Sequence, residues 1–319
     1  MSEVQCLNAE RERERRWLIP PPIYGIEKDL KDQGVIGQMT EKGTLPKRTL
    51  GKTGEKVTLL GLGGEGMLRT FNQDQEAVSL IHRAIDLGIT YFESARAYAG
   101  SESYYGIALK ERRKDIFLAS KSHERTEDGA LKHLETTLTN MRTDFLDLWM
   151  VHDVRTPKDL NQIFGPHGAI KAFESARRNK QVRFIGISGH RNPTILSRAI
   201  DLFSFDAVLM PINPAEHHYW SFPSEILPKA QEKGMGILGM KSLSRGVCIN
   251  IFGVESIASF FHFSLSQPIS TLIVGCDNIE QLEKNVRMVQ AFQPMAKKEQ
   301  DILLNKVKSY ARELMYYKL

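Results

Sequence analysis

Residues 116–152 read IFLASKSHERTEDGALKHLETTLTNMRTDFLDLWMVH. The stretch begins with a strand-like run at Ile116–Ser120, continues with a helical pattern at Glu127–Met141, and ends with a second strand-like run at Leu146–Val151. Both runs are apolar enough to be buried on two faces, as the strands of a parallel sheet are. Strand, helix and strand in this order form a βαβ unit, so the stretch predicts a parallel α/β fold.

The same alternation extends along most of the chain. Six further strand-like runs occur at Thr58–Leu62, Thr90–Glu93, Arg183–Ile187, Ala207–Met210, Gly236–Met240 and Thr271–Val274. Helical patterns between or after them span Asp74–Leu87, Ser101–Lys110, Gly168–Asn179, Pro193–Leu202, Ser224–Lys233, Val254–Ser266 and Ile279–Ala291. Eight strand–helix units predict a closed (β/α)8 TIM barrel. A doubly wound open sheet is the alternative, but residues 61–66 read GLGGEG and lack its G-x-G-x-x-G fingerprint.

The two ends of the chain are predicted to differ from the repeating units. Residues 1–46 are charged, contain prolines and form an N-terminal extension, while residues 47–319 form the barrel domain. The barrel opens with a β-hairpin around the turn Gly51–Gly54 and closes with a C-terminal helix from about Met295. The glycines of residues 61–66 are expected to form a loop at the barrel mouth, where backbone approaches a ligand.

Composition excludes several classes of protein. The chain is 41% hydrophobic and 25% charged, which is typical of a globular protein. Its three cysteines, Cys6, Cys248 and Cys276, are far apart, so neither a cysteine metal site nor a disulfide scaffold is expected. No apolar run reaches the roughly 20 residues of a membrane helix, and the N-terminus does not resemble a secretory signal. We expect a cytoplasmic protein with no metal, membrane or nucleic-acid partner.

Ionisable side chains follow three successive predicted strands. Glu93 and Tyr98 follow Ile89–Phe92 in the first of them, Lys121 comes directly after the next, and His152 comes directly after the third. If the strands are parallel neighbours, these groups converge at the C-terminal end of the barrel, where barrel enzymes do their chemistry.

The four side chains supply the parts needed for proton transfer to a carbonyl. A phenol has an unperturbed pKa of about 10. A neighbouring ammonium stabilises the phenolate, and a carboxylate fixes the position of the ammonium. A neutral imidazole can donate to a substrate oxygen. Tyr98, Lys121, Glu93 and His152 together could polarise a carbonyl and protonate it as hydride arrives from a cofactor.

Several stretches in register resemble the aldo-keto reductase family over about residues 47–290. These are Arg48–Gly54, Gly88–Tyr98, Ser101-Glu102, Ala119–Lys121, Asp144–Leu148 with Val151-His152, Ile185–His190, Gly239–Gly246 and Val274–Cys276 with Gln281–Asn285. The resemblance implies a (β/α)8 barrel, a nicotinamide cofactor at its C-terminal face and reversible carbonyl–alcohol chemistry. The family's Asp, Tyr, Lys and His tetrad maps onto Glu93, Tyr98, Lys121 and His152.

Some positions depart from the family pattern at the nicotinamide end. Glu93 replaces the usual aspartate, and its longer side chain still allows an ion pair with Lys121. The Asn and Gln that clamp the carboxamide in the family are replaced by Gly189 and Leu209, and the stacking aromatic ring is replaced by Met240. His190 and Asn213 are possible substitutes for the clamp.

The resemblance also implies the cofactor's phosphate contacts. Family members that prefer NADPH have Lys and Arg where this chain has Gly275 and Gln281, so Lys284 and Arg245 are the candidates for the 2′-phosphate. The pyrophosphate is expected along Ser242–Gly246. NADPH is expected, with NADH as the alternative. The complete predicted cofactor set is Gly64, Ser188, Gly189, His190, Met240, Lys241, Ser242, Leu243, Arg245, Gly275, Gln281, Lys284 and Asn285.

The predicted function is NAD(P)H-dependent interconversion of a small carbonyl compound and an alcohol. The alternative is a nicotinamide-binding, redox-sensing partner protein with little turnover. The loops that would select a substrate include Pro214–Phe222, where Tyr219, Trp220 and Phe222 suggest an aromatic wall.

Overall fold

The computed structural model describes residues 44–318, apart from 252, 253 and 255. The side chains of Arg245, Ile249 and Asn250 also lie outside the described part. The predicted N-terminal extension falls almost wholly outside it, so the division of the chain at residue 46 stays a prediction. No helix in the described part has the length and apolarity needed to cross a membrane.

The eight predicted barrel strands form one closed parallel barrel, in which the last strand pairs with the first. A separate antiparallel hairpin precedes the barrel and consists of β1 (Lys47–Thr49) and β2 (Lys56–Thr58). The barrel strands are β3 (Leu60–Gly66), β4 (Tyr91–Glu93), β5 (Phe117–Ser122), β6 (Leu146–Val151), β7 (Val182–Ser188), β8 (Ala207–Pro211), β9 (Gly236–Met240) and β10 (Thr271–Cys276). The predicted (β/α)8 barrel with an N-terminal hairpin is therefore confirmed.

Helices connect the strands on the outside of the barrel. They are α1 (Asp74–Asp86), α2 (Ser101–Leu109), α3 (Glu127–Met141), α4 (Pro157–Ile163), α5 (Ala169–Arg178), α6 (Pro193–Leu202), α7 (Phe222–Glu232), α8 (Ala258–Leu265), α9 (Ile279–Gln290), α10 (Lys297–Val307) and α11 (Ala311–Leu314). Helix α4 lies between the predicted strand Leu146–Val151 and the predicted helix Gly168–Asn179, where the sequence analysis assigned no element. Its signal was a capping box, in which Thr156 and Asp159 exchange hydrogen bonds on either side of Pro157.

The glycine-rich stretch at residues 61–66 is not a loop, contrary to the sequence-based expectation. It belongs to β3, which runs through to Gly66. A Cβ at Gly61 would lie 2.8 Å from the Tyr91 ring, and one at Gly63 would lie 2.7 Å from Cγ2 of Ile273. The glycines therefore make room for large side chains of the two adjacent strands.

Alternation along the strands sorts their side chains between the barrel interior and the helix layer. Tyr91, Phe117 and Leu148 belong to an interior cluster, whereas Phe92 and Trp149, each next in sequence to one of them, pack into the outer core. Tyr91 stacks on Phe117 with ring centroids 5.5 Å apart. The interior is thus a packed apolar core, as in other barrels of this type.

The hairpin closes the N-terminal end of the barrel. Leu50 and Val57 are fully buried and belong to the interior cluster. Leu50 fits closely against β9, because a Cβ at Gly236 would lie 2.4 Å from Leu50 Cδ1. The hairpin therefore acts as a hydrophobic plug, which leaves the opposite end as the open mouth.

Replacing Leu50 by Ala is expected to lower the free energy of unfolding by about 2–5 kcal/mol, because it opens a cavity in the plug. Leu202→Ala is the matched control: Leu202 is 57% exposed at the end of α6, and its loss should change stability by less than about 0.5 kcal/mol. Urea unfolding of both variants measures the difference. Equal effects would contradict the role of the hairpin as a plug.

Candidate active site

Three of the four predicted catalytic side chains continue the inward-facing rows of their strands. Glu93 lies two residues beyond Tyr91 on β4, and Lys121 lies two residues beyond Ala119 on β5. His152 lies two residues beyond Met150, directly after β6. Because side chains alternate along a strand, all three form the uppermost layer of the interior at the C-terminal end.

Lys121 is the central charge of this layer. Its side chain is 1% exposed and forms an ion pair with Glu93, itself 5% exposed. Its Nζ donates to the carbonyl oxygen of Ser94 at 2.9 Å. Burial lowers the pKa of Lys121 well below its ordinary value of 10.5; the charge of Glu65 opposes this shift, whereas Lys241 adds to it.

Tyr98 lies on the turn that leads into α2 and contacts the lysine. The Lys121 Nζ is 4.8 Å from the centroid of the Tyr98 ring, and the Arg69 guanidinium carbon is 5.2 Å from it. The Tyr98 residue is 9% exposed. Two cationic groups therefore face this ring.

His152 completes the group. Its ring meets the Tyr98 ring edge to face, with centroids 5.8 Å apart. Burial lowers the pKa of His152 well below its ordinary 6.5, and the charge of Lys121 lowers it further. The imidazole is therefore neutral at pH 7. Its Nδ1 is buried without a hydrogen-bond partner among the described residues.

A buried carboxylate behind the tetrad ties three elements together, and the sequence analysis did not assign it a role. Glu102 on α2 is 1% exposed. It accepts hydrogen bonds from Ser120 on β5 and Thr137 on α3, both at 2.8 Å, and pairs with Arg96 at 2.7 Å. The sequence analysis named Ser101-Glu102 only as part of the family resemblance, and the fold reveals these bonds.

The predicted carboxamide side of the cofactor site lies after β6 and β7. The Ser188 hydroxyl accepts from the backbone N–H of Asp153 at 2.9 Å and donates to the Val151 carbonyl at 3.2 Å. Gly189 is buried, and its N–H donates to the Leu209 carbonyl. His190 Nδ1 lies 3.5 Å from Asp153 Oδ1, and burial lowers the pKa of His190 to about 3.

Asn213 cannot serve as the substitute clamp, contrary to one sequence-based suggestion. Its amide is fully buried and donates to the Lys241 carbonyl at 3.1 Å and to the Tyr317 hydroxyl at 3.0 Å. Its oxygen accepts the backbone N–H groups of Ala215 and Glu216. Both donors and the acceptor are thus used within the protein, which leaves His190 as the candidate.

The C-terminal segment reaches the same end of the barrel. The centroid of the Tyr317 ring lies 6.1 Å from that of the His190 ring. The Lys241 Nζ lies 5.2 Å from the centroid of the Tyr317 ring. The Tyr317 hydroxyl donates to Glu216 at 2.5 Å. Two residues of the predicted nicotinamide site therefore contact a C-terminal aromatic side chain that the sequence analysis did not assign to it.

A buried ion pair anchors this segment. The Lys318 ammonium lies 2.7 Å from the Glu216 carboxylate, with side chains 1% and 0% exposed. The ammonium also donates to the carbonyls of Tyr219 and Trp220. Burial raises the pKa of Glu216 and lowers that of Lys318, so desolvation outweighs the attraction in both groups. Such a pair fixes a position more than it adds stability.

The predicted phosphate side lies after β9 and β10. Met240 and Lys241 are partly exposed, Ser242 is buried and Leu243 is partly exposed. The backbone is left-handed at Lys241, with φ of 60°, and at Ser244, with φ of 49°. Strained residues of this kind cluster at ligand sites. Arg245 lies on the 3-10 turn that follows, but its side chain is outside the described part.

The predicted adenosine residues are mostly engaged with their own neighbours. Lys284 pairs with Glu280 at 2.7 Å, and Gln281 accepts from the backbone N–H of Asp277. Asn285 is 7% exposed and donates to Cys276 Sγ at 3.4 Å. Gly275 is exposed, and Gly64 is buried where a Cβ would lie 2.4 Å from Ser101 Oγ. Gly64 is therefore required by packing, whatever it contacts in a complex.

The described residues fit a nicotinamide dinucleotide. His152 Nδ1 and Ser244 Oγ are buried polar atoms without partners in the described part, one within the tetrad and one at the predicted pyrophosphate loop. Buried polar groups normally have partners, so a ligand that supplies them accounts for both. Met240 is partly exposed at the end of β9, and thioethers pack well against flat rings.

The predicted aromatic wall is only partly present. Phe222 is fully buried in the outer core and cannot line a pocket. Trp220 is 53% exposed and stacks on Tyr219 with centroids 5.3 Å apart. A surface cavity of about 610 Å³ lies at the opposite end of the barrel, beside Met235 and Ile269, and so is not part of this site.

The fold and this arrangement of residues define a barrel oxidoreductase, and comparison with known proteins identifies the family. The family model described as "Aldo/keto reductase family" matches residues 59–250, more than half of the chain. The chain therefore belongs to the aldo/keto reductase family, and the resemblance inferred from the sequence is confirmed. Members of this family are oxidoreductases that use a nicotinamide cofactor.

Individual relatives agree with the family assignment. L-galactose dehydrogenase of Arabidopsis thaliana is 26% identical over 289 residues, which cover 76% of this chain and 87% of the relative. The holo form of an aldo-keto reductase from Bacillus halodurans has a TM-score of 0.67 at 22% identity, covering 85% and 96% of the two chains. An aldo-keto reductase from Klebsiella pneumoniae in complex with NADPH has a TM-score of 0.66 at 20% identity, covering 84% and 96%. At these identities the two structures show a shared fold.

Glu216→Gln is expected to loosen the C-terminal segment, because it leaves the Lys318 ammonium buried without its counter-ion. Hydrogen exchange across Ala311–Lys318 should accelerate, with the opening free energy lowered by about 3 kcal/mol. Asp301→Asn is the control, since it removes the exposed Lys297–Asp301 pair, which is worth less than about 1 kcal/mol. Unchanged exchange in Glu216→Gln would contradict the anchoring role.

The free energy of unfolding is expected to fall as the pH drops below 6.5. His152 and His190 have pKa values lowered from 6.5 in the folded state. The unfolded chain therefore binds more protons in this window, and stability rises with pH by up to about 1.4 kcal/mol per unit for each group. Urea unfolding from pH 7 to pH 5 measures the slope, which should be shallower in His152→Gln. An identical slope in that variant would exclude His152 as a source.

Proposed function

We propose that the protein interconverts a small carbonyl compound and an alcohol with NAD(P)H, with Tyr98 as general acid in the reducing direction. The contact between the buried Lys121–Glu93 pair and the Tyr98 ring carries the proposal. This contact places the charge of the Lys121 ammonium beside the ring of Tyr98, the proposed proton donor. A nearby positive charge stabilises a phenolate. Membership of an oxidoreductase family supports the reaction class.

Each of the four side chains has one role in this proposal. Tyr98 donates its hydroxyl proton to the developing alkoxide, and Lys121 stabilises the phenolate that remains. Glu93 and the Ser94 carbonyl hold the Lys121 ammonium in place against the cost of burial. His152 is neutral, so it donates a hydrogen bond to the carbonyl oxygen without competing for the proton of Tyr98.

Residues outside the tetrad would hold the cofactor, which supplies hydride when bound. Met240 would cover the nicotinamide ring, and Ser188 and His190 would lie along its edge. Ser244, whose hydroxyl has no hydrogen-bond partner among the described residues, and the backbone of Ser242–Gly246 would hold the pyrophosphate. The buried apolar interior beneath the tetrad excludes water from the reacting atoms.

The proposed cofactor is NADPH, with NADH as the alternative. The proposal rests on Arg245 and Lys284 as partners for a 2′-phosphate and on the family resemblance, and the Klebsiella relative is described in complex with NADPH. Lys284 already pairs with Glu280, which is 70% exposed. A 2′-phosphate would have to displace that carboxylate before it could pair with Lys284. Because only NADPH carries this phosphate, Lys284→Gln should weaken NADPH binding more than NADH binding.

Tyr98→Phe is expected to reduce turnover at least about a hundredfold while cofactor binding is retained, because it removes only the proton donor. Turnover is measured on a panel of aldehydes, ketones and sugars, including the substrate named for the Arabidopsis relative. Fluorescence titration with NADPH and, separately, NADH measures binding. Tyr310→Phe is the control, since Tyr310 lies on a C-terminal 3-10 turn and packs against a hydrophobic cluster that contains no tetrad residue.

Undiminished turnover in Tyr98→Phe would refute the assignment of Tyr98. Tight cofactor binding by the wild type with negligible turnover on every substrate would favour the redox-sensing partner instead. Absence of binding to either cofactor would remove the basis of the proposal as a whole.

A further inference from the structure

Two histidines and a glutamate lie together at the mouth of the barrel, outside the proposed catalytic group. His123 and Glu124 follow β5, and His133 lies on the second turn of α3. One ligand atom from each lies within 4.8 Å of the others. The two imidazole rings have centroids 4.7 Å apart and an interplanar angle of 68°.

One of the imidazoles is already oriented as a metal ligand would be. His133 Nδ1 and the Ser122 hydroxyl are hydrogen-bonded at 2.9 Å. His133 Nε2 lies 3.8 Å from Glu124 Oε1, so the second ring nitrogen is on the side of the carboxylate. Metal-bound histidines usually engage their other nitrogen in such a bond, which fixes the tautomer and the ring orientation. Ser122 thus holds His133 with Nε2 available to a metal.

The cationic side chains near the cluster have carboxylate partners of their own. Two cations lie nearby, Arg96 and Arg125, but each is paired with a carboxylate, at 2.7 and 2.9 Å respectively.

We propose that His123, His133 and Glu124 bind a divalent transition-metal ion, with solvent in the remaining coordination position. Two imidazoles and one carboxylate suit Zn²⁺, Co²⁺ and Ni²⁺ rather than the oxygen-seeking Mg²⁺ and Ca²⁺. The side chains need to approach by rotation, since ligand nitrogens and oxygens around zinc lie about 2.0–2.2 Å from the metal. His123 is exposed and Glu124 is 39% exposed, so both can rotate.

The bound ion would join the end of β5 to α3. Only Ser122 separates His123 from Lys121 in the sequence, so the site adjoins the tetrad. Metal binding should therefore raise the thermal stability of the whole barrel, because the ligands are assembled only in the folded chain. This consequence does not depend on the proposed oxidoreductase activity.

The test uses untagged, full-length protein freed of metal with a chelator. Isothermal titration with Zn²⁺ should give one saturable equivalent, and Co²⁺ should give a visible d–d spectrum. The double variant His123→Asn/His133→Asn should lose both signals. Ser122→Ala should weaken binding about 10- to 100-fold, because it removes the support of His133. His217→Asn, at the other histidine pair of the chain, should bind as the wild type does.

Glu124→Gln provides a variant whose folding is not in question, since the side chain is on the surface, and it should weaken binding without changing stability in the absence of metal. Absence of saturable Zn²⁺ binding by the wild type would overturn the proposal. Binding that survives in the double variant, or that is lost in His217→Asn, would equally overturn it. None of these measurements requires cofactor or substrate, so they stand apart from any test of Tyr98.

Discussion

The two-residue period of the barrel strands is the constraint on which the rest of this structure depends. In a closed barrel every second side chain must enter the interior, so each strand contributes an inward row. Tyr91, Phe117 and Leu148 fill the lower part of that interior with apolar groups. The same rows continue upward and end in Glu93, Lys121 and His152. The polar layer and the apolar core are thus successive positions of one pattern.

Placing a lysine on top of an apolar core has a large desolvation cost, and the surroundings of Lys121 offset part of it. Glu93 supplies the opposite charge, and the Ser94 carbonyl accepts a further hydrogen bond. The same burial that lowers the pKa of Lys121 also keeps His152 neutral. The site therefore combines an ion-paired lysine with a neutral imidazole, and the difference between these two buried basic groups is the carboxylate of Glu93 beside Lys121.

The mouth of the barrel is bordered on two sides by features outside the tetrad. Near β8 and β9, the C-terminal segment is held by the Glu216–Lys318 pair and brings Tyr317 against His190 and Lys241. Near β5, a histidine cluster begins two residues beyond Lys121 in the sequence. Gly189, one of the two positions at which the family's clamp residue is missing, directly precedes His190, whose ring meets that of Tyr317.

The sequence by itself determined the barrel, because buried strands and amphipathic helices leave local patterns that survive without any knowledge of contacts. The bounds of β6, β9, α3 and α6 were predicted to the residue, and the inward positions of the tetrad followed from strand ends. Predictions from local patterns failed where contacts with residues distant in sequence determine the structure. The glycines of β3 read as a loop until Tyr91 and Ile273 explained them. Asn213 looked free to bind a ligand until Tyr317, distant in sequence, engaged its amide. Only the tertiary structure decides such cases, because a hydrogen bond or a close contact between distant residues has no periodicity for the sequence to display.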